Sequence, residues 1–329
     1  MNFTTFFGFL LNRPQALRAL SPHPCIVHLY GVFLASETSE LSFVFEAMEG
    51  NLYQFMKSRK GRLFATGLMA HIFQQMSAGL HHIHSSGYFH RDMKPENILV
   101  TTTGYFNYPS PLSQSQQDDA GQRDVTVICK ITDFDSAREI SSAPPYTEYV
   151  SSRWYRAPEV LFFQRDYSTP VDMWALGAIM AELVNLRPIF PGSGEIDQIH
   201  RIIDILGDPA DHGVDESGRP RGGGPWPRGL ELASGLAFIF PKVGNPFVRV
   251  FLRRLSGIVD IQAEPRNMYA MFDRQTPHRL IECISDLLKF DPSLRITSQQ
   301  CLAHDYLREC LPESIPYMFP GQDLHAQQS

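Results

Sequence analysis

The sequence predicts an α+β fold in which a small sheet precedes a larger helical part. Two short apolar runs near the beginning, residues 25–34 and 41–48, are bounded by polar residues, as strands are. From Asn51 onward the large apolar residues recur three or four positions apart instead, which is the spacing of one helix face. With 329 residues and 43% hydrophobic content, the chain can bury the core of one or two domains.

Composition excludes several classes of protein. The formal net charge of −6 does not provide the basic face of a general nucleic-acid binder, so we expect no nucleic-acid partner. The five cysteines are odd in number and form no C-x-x-C pair, which fits a reducing intracellular compartment: cytoplasm, nucleus or both. The apolar opening Met1–Leu11 has about half of the residues that a membrane span needs, and it lacks a signal peptide's leading charge and cleavage site. We therefore expect no membrane partner.

Three long helices are predicted along the middle of the chain. The first ends near Gly87, and the second begins at residues 168–170, where a hydroxyl cap precedes a proline. The third is stopped by Gly207, a residue type that favours the end of a helix. Shorter helices over 278–290 and 297–307 complete the helical part. The apolar positions that define the first three helices are Leu68, Ile72, Phe73, Met76, Leu80 and Ile83; Met173, Trp174, Leu176, Ile179, Met180 and Leu183; and Ile196, Ile199, Ile202, Ile203 and Leu206.

Four segments fit no regular element. Residues 101–125 and 208–228 are rich in Ser, Gln, Gly or Pro, which predicts insertions between the regular elements. The first 14 residues stay unassigned, and the chain from residue 312 onward is a polar tail. The sequence contains no internal repeat.

One segment, HRDMKPEN at residues 90–97, carries side chains suited to phosphoryl transfer. That reaction asks a protein mainly to position a hydroxyl group, a metal ion and a triphosphate. Asp92 can accept the proton of the hydroxyl, Lys94 can reach the transferring phosphate, and Asn97 can hold a metal ion. Asp133, which opens a D-F-D triplet, can bind magnesium that bridges the phosphates.

A third landmark, A-P-E at residues 157–159, follows Asp133 at the distance expected for an activation segment. The motifs H-R-D-x-K-x-x-N, D-F-x and A-P-E in this order are typical of protein kinases. Any one triplet occurs by accident in other proteins. Three in the right order, with a long helix before them and an apolar helix after, leave chance as a minor alternative.

In these segments the chain resembles the CMGC group of eukaryotic protein kinases, and most closely the MAK/ICK (RCK) serine/threonine kinases. The resemblance runs from about Gln15 to Leu311, with the two insertions as gaps. Mitogen-activated kinases share the Thr-Glu-Tyr outline of residues 147–149, but HRDMKPEN together with PPYTEYV and FPGSGEID favours the MAK/ICK branch. The segments that carry the resemblance are YFHRDMKPENILV (88–100), AREI (137–140), PPYTEYVSSRWYRAPEVL (144–161), DMWALGAIMAEL (172–183), LRPIFPGSGEIDQI (186–199) and LLKFDPSLRITSQQCLAHDYL (287–307).

The resemblance implies a protein-kinase-like fold, mostly the helical C-lobe with a remnant of the N-lobe sheet, that uses ATP and Mg²⁺. It implies that Glu46 and Met48 offer backbone groups of the hinge to adenine. Phe45 would be the gatekeeper, and Leu99 would be the apolar floor under the purine. For Phe45 and Leu99, a plain core position is almost equally compatible with the sequence.

The resemblance also implies regulatory and structural residues. Thr147 and Tyr149 would be activating phosphorylation sites, because a phosphate orders a loop where arginines are available to bind it. Asp172 would receive backbone amides of the catalytic loop, and Glu159 would pair with Arg295. The arginines that the motifs place for binding the phosphates are Arg91, Arg153 and Arg156.

The chain departs from a complete kinase before the hinge. No G-x-G-x-x-G motif can be written there, the first lysine is Lys57 and the first acidic residue is Glu37, whereas a kinase N-lobe carries a Gly-rich loop, a lysine and a glutamate. Asp135 and Ser136 also replace a glycine and an apolar residue that are usual in the family. We expect an unassigned segment (1–14), an N-lobe remnant with the end of helix C, two strands and the hinge (15–48), a C-lobe (49–311) and a tail (312–329).

Two functional hypotheses follow. The first is a monomeric serine/threonine kinase that acts on protein substrates, is activated by an upstream kinase, and is impaired in this chain by the missing N-lobe groups. The second is a non-catalytic kinase lobe that docks substrates or regulators. The missing lysine favours the second, whereas the intact H-R-D motif, Asn97 and Asp133 favour the first. A third possibility is a mis-assembled coding region, with the missing lobe encoded upstream, so that the polypeptide does not exist in cells as written.

Overall fold

A computed structural model describes most of the chain. The predicted segment 1–14, the phosphorylation sites Thr147 and Tyr149, and the tail 312–329 lie outside the described residues, as does the insertion beyond Thr102. The described residues are 16–17, 19–20, 22–34, 40–102, 127–142, 144, 146, 152–210, 222–236, 238, 240 and 268–311.

The first sheet is a two-stranded antiparallel hairpin of β1 (Leu29–Leu34) and β2 (Leu41–Phe45). The prediction that the first strand begins at Cys25 is wrong. Main-chain bonds from Val27 to the carbonyl of Ile131 (3.0 Å), and from Ile131 to the carbonyl of Cys25 (2.8 Å), tie this segment to a different strand as an isolated parallel bridge. Tertiary pairing has therefore divided one apolar run between two sheets.

Two further sheets surround the segment 90–97. The antiparallel pair of β5 and β6 aligns Ile98 with Ile131, and β3 extends this sheet on the other side of β5. A separate short pair joins β4 to β7. The strands are β3 (Gly50–Asn51), β4 (Tyr88–Phe89), β5 (Ile98–Thr102), β6 (Val127–Ile131) and β7 (Arg138–Glu139).

The helices form the larger part of the fold, which confirms the predicted α+β class. Among those described, none combines the length and the hydropathy that a bilayer-spanning segment needs. The helices are α1 (Leu52–Ser58), α2 (Thr66–Ser85), α3 (Pro158–Leu161), α4 (Pro170–Asn185), α5 (Glu195–Leu206), α6 (Pro227–Gly235), α7 (His278–Leu287), α8 (Ser298–Leu302) and α9 (Asp305–Cys310).

The helix ends test the predicted signals. Gly207 follows α5 with φ of +84°, which confirms it as the residue that ends this helix. The predicted hydroxyl cap of α4 is wrong, because Thr169 has helical backbone angles and, among the described residues, its side chain caps nothing. The single helix predicted over 297–307 is also wrong. It divides into α8 and α9, since the side chain of His304 accepts a bond from the backbone of Tyr306 and starts a new helix.

The core lies between α2, α4 and α7, with β6 against α2 and β5 against α1. Trp174 in α4 is fully buried and stacks on Phe190 with 5.7 Å between ring centroids. Gly177 permits the close approach of α7, because a Cβ at that position would lie 2.8 Å from the Cβ of Leu287. The packed helices thus give a rigid base to the loops that leave β4 and β6.

Candidate active site

A buried carboxylate holds the loop that follows β4. The backbone amides of His90 and Arg91 donate to the two carboxylate oxygens of Asp172, each over 2.8 Å, and Asp172 is 1% exposed. Arg91 adopts the left-handed conformation, with φ of +70°. Such a backbone persists where surrounding contacts determine it, and the two bonds to Asp172 supply those contacts.

The charge of Asp172 is stabilised from a second side. His84, in the last turn of α2, lies 2.9 Å from an oxygen of Asp172 through Nε2, and its Nδ1 lies 3.3 Å from the hydroxyl of Ser298. Burial by itself would raise the pKa of Asp172, but the hydrogen bond and charge of His84, together with His90, hold that pKa below its ordinary value. Three helices, α2, α4 and α8, therefore converge on the anchor of the loop.

Asp92, Lys94 and Asn97 form one hydrogen-bonded cluster. The ammonium of Lys94 donates to Oδ2 of Asp92 over 2.7 Å. The amide nitrogen of Asn97 donates to the main-chain oxygen of Asp92 over 2.8 Å and to its Oδ2 over 3.1 Å. The backbone amide of Ser152 lies 3.3 Å from the other carboxylate oxygen. Asp92 is thus oriented by a cation and two amides at the mouth of the loop.

Thr132, the residue after β6, holds Asp133 next to the loop that carries Asp92 and Asn97. Thr132 donates from its backbone to the carbonyl of Asn97 over 3.0 Å, and its own carbonyl lies 2.9 Å from Nε2 of His90. On the other side, the ring of Phe134 meets the ring of His90 edge to face at 5.1 Å. Asp133 lies between these anchored neighbours in the left-handed conformation, φ +66°, with its side chain exposed.

The oxygens left available fit a magnesium ion. The amide nitrogen of Asn97 is occupied by Asp92, but within the described part of the chain no donor contacts its side-chain oxygen or the carboxylate of Asp133. Mg²⁺ prefers oxygen ligands and is usually held by one or two protein side chains, with water and phosphates completing its shell. The described residues hold no group of three or more His, Cys, Asp or Glu that could hold a metal ion by themselves.

The three arginines expected to bind the activating phosphates have different partners. Arg91 donates to the carbonyl of Ser136 and, over 3.2 Å, to the hydroxyl of Tyr167. Arg153 donates to the carbonyl of Ser193 over 2.9 Å. Arg156 forms an ion pair of 3.2 Å with Glu195 at the start of α5. The partners Thr147 and Tyr149 that the sequence suggested for them lie outside the described residues.

Glu159 and Arg295 form a buried bidentate ion pair. Their two oxygen–nitrogen distances are 2.7 and 2.6 Å, and the side chains are 1% and 0% exposed. The guanidinium also donates to the carbonyls of Lys289, Pro170 and Phe290 and lies 5.1 Å above the ring of Trp174. Because its donors have acceptors, the charge is compensated, and the end of the activation segment is fixed to α4 and α7.

The predicted hinge follows β2. Phe45 is 38% exposed, whereas Glu46, Met48 and Leu99 are half-buried. Leu99 in β5 is directly paired with Lys130 in β6. The structure therefore places the predicted adenine floor on the sheet that leads to Asp133.

Several contacts of the site are absent from the sequence reasoning. His84, Thr132, Lys130 and Ser152 contact the loop or the hinge through bonds between residues far apart in the chain, and no local pattern marks the first three. Ser152 alone had a signal, since it lies within the segment SSRWYRAPE that was quoted for the resemblance.

Comparison with known proteins gives consistent matches. The family described as protein kinase domain matches residues 10–307. A probable serine/threonine-protein kinase of Dictyostelium discoideum is 39% identical over 305 residues, 93% of this chain and 49% of that protein. Serine/threonine-protein kinase MAK of Mus musculus is 36% identical over 319 residues, 96% of this chain and 42% of MAK. Serine/threonine-protein kinase ICK of Rattus norvegicus is 37% identical over 312 residues, 95% of this chain and 40% of ICK. The chain therefore spans about half, or less, of the length of these relatives.

Proposed function

The chain belongs to the protein kinase domain family, and from that premise we propose that it transfers the γ-phosphate of ATP to serine or threonine hydroxyls of protein substrates. The resemblance to MAK/ICK kinases is confirmed by the match to both relatives. The alternative of a non-catalytic lobe has no comparable support, because the similar proteins carry kinase names.

The cluster of Asp92, Lys94 and Asn97 carries the proposal. Asp92 is the base that accepts the proton of the substrate hydroxyl, and its carboxylate is oriented by the bonds from Lys94 and Asn97. Lys94, which pairs with Asp92 over 2.7 Å, would turn toward the transferring phosphate, where its charge would offset the negative charge of the transition state. These are the catalytic residues of the proposal.

Asn97 and Asp133 are the proposed magnesium ligands, each through a side-chain oxygen. Mg²⁺ held there would supply positive charge that offsets the negative charge of the phosphates. The support is the donor set itself, together with the bond from the backbone amide of Thr132 to the carbonyl of Asn97, which holds the two ligands next to the paired ends of β5 and β6.

The nucleotide base would bind at the hinge. We assign the backbone groups of Glu46 and Met48 to adenine and the side chain of Leu99 to the face of the purine, with Phe45 as the gatekeeper. Leu99 is half-buried and is paired with Asn51 of β3 on one side and Lys130 of β6 on the other, so part of its apolar side chain is accessible to a ring.

Regulation and partners follow from the same proposal. Thr147 and Tyr149 would be phosphorylated by an upstream kinase. Asp172 would support the catalytic loop, and Glu159 with Arg295 would support the end of the activation segment. We further propose a monomer without nucleic-acid or membrane partners that acts in the cytoplasm, the nucleus or both. The proposed parts are the unassigned segment 1–14, the N-lobe remnant 15–48, the C-lobe 49–311 with insertions near 101–125 and 208–228, and the tail 312–329.

Single-turnover phosphorylation of a generic protein substrate tests the proposal. Enzyme in excess is preferable, because the sequence before the hinge holds no Gly-rich motif and we propose a slow reaction for this chain. Asp92→Asn removes the base and should lower the rate by about 100-fold or more. Asp305→Asn is the control, since Asp305 is an exposed residue of α9 that pairs only at the surface with Arg308. Equal rates for Asp92→Asn and the unchanged chain would remove Asp92 from the mechanism.

A further inference from the structure

A polar clamp holds the residue where the hinge begins. The carboxylate of Glu46 accepts a bond from the backbone amide of His28 over 2.7 Å. The ammonium of Lys130 donates to both of its oxygens, over 2.7 and 2.8 Å. The backbone amide of Glu46 in turn donates to the carbonyl of His28 over 3.0 Å. We call these three residues, His28, Glu46 and Lys130, the hinge clamp.

The hinge clamp joins three parts of the chain that are distant in sequence. His28 immediately precedes β1, Glu46 immediately follows β2, and Lys130 lies in β6. Neither β1 nor β2 contains a fully buried residue, and in the hairpin only the half-buried Leu29 packs against the core. The side chains of Glu46 and Lys130 are 18% and 17% exposed, which shields their attraction from most of the solvent. The position of Glu46 therefore depends on these bonds more than on a core.

Lys130 also shares a face with the predicted purine floor. Residues directly opposite in an antiparallel pair point to the same side of the sheet, and Lys130 is opposite Leu99. Asp133 is three residues after Lys130, just beyond the end of β6. One lysine thus connects the hinge, the surface under the base and the strand that carries a proposed metal ligand.

We propose that Lys130 is a positioning residue for adenine: it fixes Glu46, and through it the hinge backbone, at the distance from Leu99 that a purine ring requires. The inference rests on the proposed function, because it assumes that the hinge binds a nucleotide. The inference predicts that a change of Lys130 weakens binding of the adenine base and leaves binding of the phosphates unchanged.

Binding of three probes to the whole chain separates these effects: Mg·ATP, adenosine, and magnesium tripolyphosphate, which has no base. In Lys130→Met, isothermal titration should show ATP and adenosine binding weakened by about tenfold, the cost of losing one charge-assisted interaction. Tripolyphosphate binding should not change. Lys130→Arg keeps a cation that can donate to both oxygens of Glu46, so it should restore binding of ATP and adenosine.

Two further variants guard against a trivial result. Lys289→Met is the matched control, since Lys289 is also 17% exposed and has an acidic neighbour, Asp286 at 3.9 Å, but it follows α7 and has no bond to the hinge among the described residues. Glu46→Gln removes the charge from the other end of the hinge clamp and should reproduce the loss of ATP and adenosine binding. It carries the test if Lys130→Met does not fold.

The outcomes distinguish the inference from the proposed function. If Lys130→Met and Lys289→Met bind ATP equally, or if tripolyphosphate binding falls together with ATP binding, Lys130 has no role specific to the base and the inference is wrong. If the unchanged chain binds none of the three probes, the proposed function itself fails, and the inference fails with it.

Discussion

The hairpin of β1 and β2 and the helix α4 are held by different forces. Every residue of α4 from Val171 to Val184 is buried, including the carboxylates of Asp172 and Glu182. By contrast, no residue of the hairpin strands is buried, although most are apolar, and Tyr30 is 67% exposed. An isolated two-stranded hairpin is at best marginally stable in water. The hairpin therefore relies on its strand ladder and on the hinge clamp at its base.

This difference divides the candidate site into two halves. Asp92 and Asn97 stand on a loop that Asp172 anchors to the packed helices, and Asp133 is attached to the same loop through its neighbours. Glu46 follows the exposed hairpin, and its carboxylate is held by the backbone amide of His28 and the ammonium of Lys130. The lesson is that chemistry and base recognition depend on separate structural supports. Mutations can then weaken one support without the other.

The largest expected effect is a loss of stability in the half of the site that the packed helices support. Arg295→Met leaves Glu159 as an uncompensated buried charge and should lower the free energy of unfolding by about 3–5 kcal/mol. Urea denaturation followed by circular dichroism measures it. Arg308→Met removes an exposed pair with Asp305 and should change stability by less than about 0.5 kcal/mol. Similar losses in the two variants would mean that the buried pair contributes no more than a surface contact.

The second effect concerns the junction of the two halves, which is the place where Gly79 of α2 meets Cys25 and Ile131. A Cβ at Gly79 of α2 would lie 2.7 Å from the Cδ1 of Ile131 and 3.1 Å from the carbonyl oxygen of Cys25. Gly79→Ala should therefore destabilise the chain by about 1–2 kcal/mol, the overpacking cost exceeding the gain in helix propensity. Hydrogen exchange at the amide of Ile131, which bonds to Cys25, should become faster.

Gly67→Ala in the same helix is the control for this substitution. No described heavy atom lies within 4 Å of the Cβ that Gly67 would acquire. Its stability should be unchanged or higher, because alanine favours a helix over glycine by up to about 1 kcal/mol. A stable Gly79→Ala variant with slow exchange would show that the junction tolerates a wider spacing.

The third effect is a pH dependence at this junction. Burial, together with the nearby His82, His81 and Lys130, lowers the pKa of His23 from its ordinary 6.5 to about 4. Between these values the unfolded chain binds a proton that the folded chain excludes, so stability falls as the pH drops from about 6.5 to about 4. For a half-buried ring, allowing for solvent screening, we expect a loss of about 1–2 kcal/mol.

Urea denaturation in buffers across that interval measures the pH effect. His23→Asn keeps an acceptor for the backbone amide of Cys25, which His23 now accepts through Nδ1 over 3.2 Å, but does not titrate. The slope of stability against pH should therefore be smaller in this variant. His278→Asn, at an exposed position, should retain the slope of the unchanged chain. An unaltered slope in His23→Asn would assign the dependence to other groups.

The smallest expected effect comes from truncating an exposed side chain of the hairpin, compared with a buried one of α2. Phe33 of the hairpin is 61% exposed, whereas Phe73 of α2 is fully buried. Phe33→Ala should change the unfolding free energy by less than about 0.5 kcal/mol, and Phe73→Ala should reduce it by about 3–5 kcal/mol. A large loss in Phe33→Ala, measured by the same urea denaturation, would mean that the hairpin is covered in solution and that the contrast is wrong.

The sequence by itself determined the features that depend on neighbouring residues. Helical spacing located α2, α4 and α5, Gly207 marked the end of α5, and the ordered motifs identified the kinase family. These are local signals, because a helix face repeats every three or four residues and a catalytic loop is contiguous in sequence.

The tertiary structure alone decided the remaining features. The run from Cys25 was divided between two sheets, the helix predicted over 297–307 was interrupted at His304, and Thr169 made no cap. The hinge clamp and the bond from His84 to Asp172 join residues 84 and 88 positions apart, respectively. No local propensity encodes a hydrogen bond between segments that become neighbours only when the core has packed, which is why the supports of the site escaped sequence reasoning.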